Sequence, residues 1–309
     1  MKLAVCIINH DQPIEKVIKS LDKQSKKPDT IIICSDGKEL PKFDRDDIIS
    51  LDNSDEPGRC SNRNAGAKEF VDTDCDSIIF IDGDCVPKSK NFLAEMADQL
   101  DMFDLVYATR QHDLKGKNLK LPPSDLLTVN MDNLYKGKKL DLTDLRVASG
   151  AVEAFNSTDS FEEKLDLMLT GMIGWSCCFG MTRKGLDKHL KFMKRIHGCA
   201  EMFDSNAFDG TWGYEDVAMG IDALYAGLKI SVCEKCTVVH DAHDRVDGLF
   251  DHVKGRHIIM QRARAIQKAV KVKDKAYLTM MFLFFSYIAG IITGLITGYI
   301  SIASSFAGN

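Results

Sequence analysis

Two aspartates separated by one glycine, Asp82-Gly83-Asp84, follow directly on the apolar run Ile78-Ile79-Phe80-Ile81. A short unbroken apolar run bounded by turn residues is the pattern of a strand buried on both faces. The acids then stand just past the strand's carboxyl end, where open α/β sheets bind their ligands. Gly83 lets the backbone turn between them. Two hard carboxylates converging there suit Mg²⁺ or Mn²⁺, and such an ion in turn suits a diphosphate. The plain alternative is a polar turn that happens to hold two acids.

Three other stretches carry candidate chemistry. Trp212-Gly213-Tyr214 forms an aromatic, flexible entrance to Glu215-Asp216. Acids suit a helix amino end, so the pair reads either as a helix start or as a general base beside an acid that binds an acceptor. His240 follows the apolar run near Val239, where a histidine at a strand end can complete a metal site with an upstream carboxylate. Arg59 and Arg63 lie near a helix start and can meet a nucleotide's base or phosphates, or simply face solvent. Trp175, among Gly171, Gly174 and Gly180, reads as an apolar wall beside a sugar or as core.

The elements that must position these groups alternate. Leu3 to Ile8 reads as a first buried strand, too short for the apolar core of an export signal. Asp11 then caps a helix with Pro13 in its first turn and Ile14, Val17, Ile18 and Leu21 on one face. Thr30 to Cys34 is a second strand ending at Ser35-Asp36-Gly37, and Ile48, Ile49 and Leu51 form a third. Ser61 or Asn62 caps the next helix, which runs to about Phe70. Asn91 to Leu100 is amphipathic, and Leu105 to Ala108 is a short strand. Such alternation gives a parallel sheet with right-handed crossovers. Residues 109–149 read as an inserted surface region, after which a strand near Ser176 to Met181 leads into a helix at Thr182.

The 309 residues are 45% hydrophobic and 28% charged, enough for a sizeable core and against global disorder. A net charge of −5 argues against nucleic acid as a partner. Ten scattered cysteines, several inside apparent strands, fit small buried hydrophobes in a reducing compartment. Cys233-Glu234-Lys235-Cys236 has no second such pair nearby, so a zinc site is not expected.

The carboxyl end differs in kind. Residues 276–306 are overwhelmingly apolar and uncharged, long enough to cross a bilayer as a transmembrane helix. Gly290, Gly294 and Gly298 make a small-residue stripe that permits helix packing and homo-oligomers. Residues 251–275 ahead of it are basic, with Arg256, Arg262, Arg264, Lys268, Lys271, Lys273 and Lys275 among apolar residues. This reads as an interfacial helix on an anionic leaflet, which puts the preceding domain on the cytosolic face.

Taken together, Arg63-Asn64-Ala65-Gly66, Asp82-Gly83-Asp84 and Trp212-Gly213-Tyr214-Glu215-Asp216 resemble the family 2 glycosyltransferases in order and approximate spacing. That resemblance implies a GT-A fold over residues 1–250, with a mostly parallel sheet flanked by helices. The later part looks similar to the β-1,4-galactosyltransferase and chondroitin-polymerase branch, with Tyr214 where the galactosyltransferases have glycine. By that resemblance Asp36, Arg63 and Asp82 bind the nucleotide-sugar donor, and Asp84 and His240, with Asp82, hold Mn²⁺ or Mg²⁺. Asp216 is the base, and Glu215, Trp212 and Trp175 bind a glycan or lipid-linked acceptor. One base without an evident nucleophile implies single displacement with inversion. A sugar nucleotidyltransferase and a non-catalytic sugar-binding scaffold are the two alternatives.

Overall fold

The computed structural model describes residues 1–37, 43–113, 150–169, 173–209, 213–241 and 249–270. The chain runs β1 (Leu3–Asn9), α1 (Glu15–Leu21), β2 (Thr30–Ser35), β3 (Ile48–Asp52), α2 (Arg59–Asp72), β4 (Ser77–Asp82), β5 (Cys85–Pro87), α3 (Phe92–Leu100) and β6 (Leu105–Asp113). Then come α4 (Ala151–Ser157), α5 (Phe161–Leu169), β7 (Cys178–Thr182), α6 (Arg183–His197), α7 (Ser205–Phe208), α8 (Glu215–Tyr225), β8 (Ile230–Asp241) and α9 (Leu249–Val270).

The eight strands form one sheet in the order β3-β2-β1-β4-β7-β6-β8-β5. The first four are mutually parallel, as expected. The other half is not: β7 is antiparallel to both β4 and β6, and β5 is antiparallel to β8, while β6 and β8 are parallel. The sheet is therefore mixed rather than mostly parallel. Apolar runs reveal strands but not their direction. Every residue of β1 is buried, which is what a central strand with both faces covered requires. Phe80 of β4 stacks on Phe179 of β7 at 4.9 Å between centroids, fixing the antiparallel junction.

Sequence order reverses across the β1–β4 boundary: β2 and β3 extend one way, and β4 opens the other. The crevice at such a switch point is where open α/β sheets take their ligands. Asn9 and Asp82 end the two strands that flank it.

Several expectations are corrected. Asp11 does not cap α1. It sits at φ 60° in the turn after β1, and the helix starts behind Ile14 with no side-chain cap. The supposed insert begins later, because Thr109 to Asp113 continue β6 and pair in parallel with Thr237 to Asp241. A register shift between Ala108 and Thr109 had broken the pattern. Residues 114–149 lie outside the described residues. That shift also answers the cysteine pattern: residues 234–236 loop out of β8, and Cys233 and Cys236 close the bulge with a disulfide, Cα atoms 5.2 Å apart. The other eight cysteines are free thiols, seven of them buried.

Helix α2, which carries Arg59 and Arg63, is held at both ends by distant residues. It starts at Arg59, and neither Ser61 nor Asn62 caps it. Asp209, far along the chain, accepts from the backbone N–H of Cys60 (2.9 Å) and Ser61 (3.0 Å) and from the Ser61 hydroxyl (2.6 Å). A carboxylate there satisfies orphan donors and suits the positive end of the helix. Gly58 is required beneath it: φ is 151°, and a Cβ would lie 2.4 Å from the Asp209 carboxyl carbon. At the other end the Arg183 guanidinium donates to the carbonyls of Phe70, Val71, Thr73 and Cys75 at 2.7–3.1 Å. Asp209→Ala is expected to lower unfolding free energy by about 1–2 kcal/mol, with Asp209→Asn retaining part of it. Urea unfolding measures this, and an unchanged midpoint in the alanine variant would discount the cap.

Contacts divide the chain into two compact units, Met1–Ile259 and Met260–Asn309, so the division falls within α9. That helix begins at Leu249, before the basic run, and its Arg262 is buried rather than exposed. Among the described residues no helix is long and apolar enough to cross a membrane. The expected span 276–306 and its glycine stripe lie outside the described residues.

Candidate active site

The turn after β4 is fixed by its backbone. Gly83 N–H donates to Ile8 O at 2.7 Å, and Asp82 N–H to Cys177 O at 3.0 Å. A Cβ on Gly83 would come within 3.0–3.2 Å of Asn9 Oδ1, Ile14 Cγ2 and Ile8 O, so close approach demands the glycine. Its consequence is that Asp82 and Asp84 have different partners.

Asp84 faces β8. Its Oδ2 lies 3.3 Å from His240 Nε2, and its carbonyl accepts from Asp241 N–H at 2.9 Å. The link is made by β5, a strand absent from the sequence reading, whose Cys85 pairs with His240. One ligand atom each from Asp84, Cys85 and His240 lie within 4.8 Å of one another. A carboxylate and an imidazole this close, at a strand end in the crevice, fit a divalent cation by their donor chemistry. Asp82 is not in that group.

Asp82 instead accepts from Arg63 Nη2 at 2.8 Å. Burial pushes its carboxyl up, and the guanidinium pulls the other way. Arg63 is 2% exposed, lies 5.5 Å over the Phe203 ring and is 4.0 Å from Glu215 Oε1. It bridges the β4 turn to the start of α8 rather than presenting an open face to a nucleotide. Arg59, half-exposed one turn earlier, pairs with the same Glu215 oxygen at 3.3 Å. Glu215, expected to hold the acceptor, is 5% exposed and set between these two cations. A buried carboxylate needs such partners.

Asp216 follows on the first turn of α8, behind Gly213 (φ 79°) and Tyr214 (φ 72°), two successive left-handed residues. The bend is closed from outside: a Cβ on Gly255 would lie 2.7 Å from the Tyr214 ring. Asp216 Oδ1 accepts from Val217 N–H at 2.8 Å. Burial, then repulsion from Glu215, raises its carboxyl to about 6, a value suited to a general base. Gly174 abuts this turn, with Asp216 O 3.7 Å from where its Cβ would be, so the Trp175 loop and α8 share one wall. Trp175 packs partly into the core, with the Arg110 guanidinium 3.9 Å above its ring. Trp212 lies outside the described residues.

At the far side of the crevice, Asp36 is almost fully enclosed. Its Oδ1 is 2.8 Å from His10 Nδ1, and Oδ2 accepts from Gly58 N–H at 2.8 Å. What the pair presents outward is the exposed ring of His10. Sequence reasoning missed His10, Cys85 and Asp209 as site-forming residues. Of these only Cys85 carried a signal, its place directly after Asp84.

A mixed α/β sheet with an acidic turn at the switch point and an acid pair opening a helix beside it is GT-A-like. The chain belongs to the family described as Glycosyl transferase family 2, whose pattern matches residues 3–190. Solved structures of similar fold include residues 1–349 of S. aureus TarS, with TM-score 0.50, 16% identity, and coverage of 92% of this chain and 72% of that one. A mannosyltransferase from Pyrobaculum calidifontis, PcManGT, in complex with GDP-Man and Mn²⁺, has TM-score 0.51, 10% identity and coverage of 96% and 79%. GalNAc-T7 with UDP, GalNAc and Mn²⁺ has TM-score 0.51 and 12% identity, covering 86% of this chain. The chain spans 48% of the length of GalNAc-T7 and 39% of a longer TarS chain. No curated protein sequence matches.

Proposed function

We propose that the protein is a metal-dependent, inverting glycosyltransferase that moves a sugar from a nucleotide-diphosphate donor, UDP-linked, to a glycan or lipid-linked acceptor. The observation that carries this reading is the Asp84–His240 pair, 3.3 Å apart, in the crevice of a family 2 chain. Asp84 and His240 would hold Mn²⁺ or Mg²⁺, and such an ion would supply positive charge against that developing on the leaving diphosphate. Asp82, fixed by Arg63, faces the donor's ribose side, and the Asp36–His10 pair lies where the base enters. Asp216 takes the proton of the acceptor hydroxyl as that oxygen attacks the anomeric carbon. Glu215 keeps Arg59 and Arg63 in place beside the acceptor, and Trp175 and Trp212 offer apolar surface to its ring. The later motifs are similar to the galactosyltransferase and chondroitin-polymerase branch, although Tyr214 leaves the donor sugar open.

A hydrolysis and transfer screen of UDP- and GDP-sugars with Mn²⁺ tests this. Release of free nucleoside diphosphate, with inverted anomeric configuration in the product, is expected. Pyrophosphate release would make the protein a nucleotidyltransferase, and donor binding without turnover would make it a scaffold.

The same reading places residues 276–306 in a membrane as a single span, with the basic run on the cytosolic leaflet. A chain ending at Lys275 is expected to keep donor hydrolysis and lose tight sedimentation with membranes, with any residual binding to anionic vesicles released by salt. An insoluble, unfolded product would show that the segment is core instead.

A further inference from the structure

The cation site contains a third donor that a hard ion does not call for. Cys85 follows Asp84 and stands directly opposite His240 in the antiparallel β5–β8 pair. Opposed residues on such strands project to the same face. The Asp84 carboxylate reaches both: Oδ2 is 3.3 Å from His240 Nε2, and Oδ1 is 3.5 Å from Cys85 Sγ. Cys85 and His240 are buried, at 0% and 6% exposure, and the Asp84 side chain is 13% exposed.

We propose that Asp84, Cys85 and His240 form an oxygen–sulfur–nitrogen site that takes Zn²⁺ through the Cys85 sulfur, in competition with the hard cation of the transfer reaction. The proposal rests on the reading of Asp84 and His240 as cation ligands and adds Cys85 to them. Hard cations prefer oxygen, whereas a thiolate selects zinc. Three protein donors also match zinc's tetrahedral preference, with one position left open. On binding, the Cys85 S–H bond breaks, its proton passes to solvent, and a sulfur–metal bond forms without any change of oxidation state. Mn²⁺ or Mg²⁺ leaves the thiol protonated and uses Asp84 and His240 alone. Zinc is then an inhibitor, since it leaves fewer positions for the diphosphate than a six-coordinate ion.

Co²⁺ titration of the full chain tests the sulfur directly. A sulfur-to-cobalt charge-transfer band in the near ultraviolet is expected, displaced by Zn²⁺. Cys85→Ser is expected to abolish the band and weaken Co²⁺ binding by at least the roughly 10–100-fold typical of a lost metal-site partner. Its Mn²⁺ affinity, read by electron paramagnetic resonance with UDP present, should stay within a few-fold. Cys199→Ser, which removes the one free thiol with partial exposure, should keep the band. Should Cys85→Ser fail to fold, zinc-edge X-ray absorption on the unaltered chain replaces it, with a sulfur neighbour at about 2.3 Å expected. Absence of the band at saturating Co²⁺, its survival in Cys85→Ser, or only nitrogen and oxygen neighbours around zinc would overturn the role of Cys85 while Mn²⁺ binding stands. Asp84→Asn that binds Mn²⁺ and Co²⁺ normally would overturn the cation site itself.

Discussion

Asp216→Asn is expected to lower transfer by about 10²–10⁴-fold while donor and metal binding change little. Asparagine keeps the shape and the Val217 N–H contact but removes the basicity. The pH dependence gives an independent check. With its carboxyl raised to about 6, Asp216 must be ionised to act, so kcat/KM should fall as pH drops through about 6. In Asp216→Asn that limb should vanish from the residual activity. Stability moves the opposite way. The folded value lies above the ordinary 3.8, so the folded state binds this proton more tightly than the unfolded state. The associated stability is fully present below about 4 and is lost as pH rises through about 6. The asparagine variant lacks this loss, so at neutral pH it should melt no lower than the unaltered protein. Low activity together with a preserved or raised melting temperature separates a missing base from a damaged fold. Near-normal transfer would remove Asp216 from the chemistry, and an equal loss of donor binding would make Glu215 and Asp216 a structural helix start.

The contrast between these two acids shows how far the sequence could be read. Both stand at the start of a helix, and pattern alone treats them alike. Their environments differ because Arg59 and Arg63 reach Glu215 from α2, whose amino end is itself capped by Asp209 over 148 residues of separation. No local periodicity reports that contact. The β1, β2 and β4 strands were legible because a strand buried on both faces is apolar throughout, and the acid turn after β4 was legible because it interrupts such a run. β5 was not, since three residues at a turn carry no period. The same limit hid Cys85: its neighbour across the sheet is His240, and strand pairing, not spacing, brings them together. Arg63 was found as a site residue, but as a nucleotide contact. Its burial against Asp82 follows from tertiary packing that desolvates the guanidinium and so demands a carboxylate.

Asp84→Asn is expected to abolish transfer, by more than about 10³-fold, with the fold intact. The carboxylate supplies a charged oxygen to the cation, and the cation in turn is worth several kcal/mol at the leaving diphosphate, each 1.4 kcal/mol being about tenfold in rate. The amide oxygen of asparagine is neutral and a poor substitute beside His240 Nε2, 3.3 Å away. The tie between the turn and β8 does not need this side chain's charge, because Asp241 N–H donates to the Asp84 backbone carbonyl at 2.9 Å. Excess Mn²⁺ should restore little, since the deficit lies in placement as well as affinity. His240→Ala should be less severe: it removes one nitrogen ligand and leaves the carboxylate, so higher Mn²⁺ should recover part of the activity. Titrating Mn²⁺ by calorimetry in the presence of UDP, alongside transfer rates and thermal unfolding, measures each part. Affinity should fall in both variants and further in Asp84→Asn. Unaltered Mn²⁺ dependence in both would mean that the cation of this reaction is held elsewhere. Loss of activity accompanied by a collapsed unfolding transition would assign Asp84 to the architecture of the β4 turn instead.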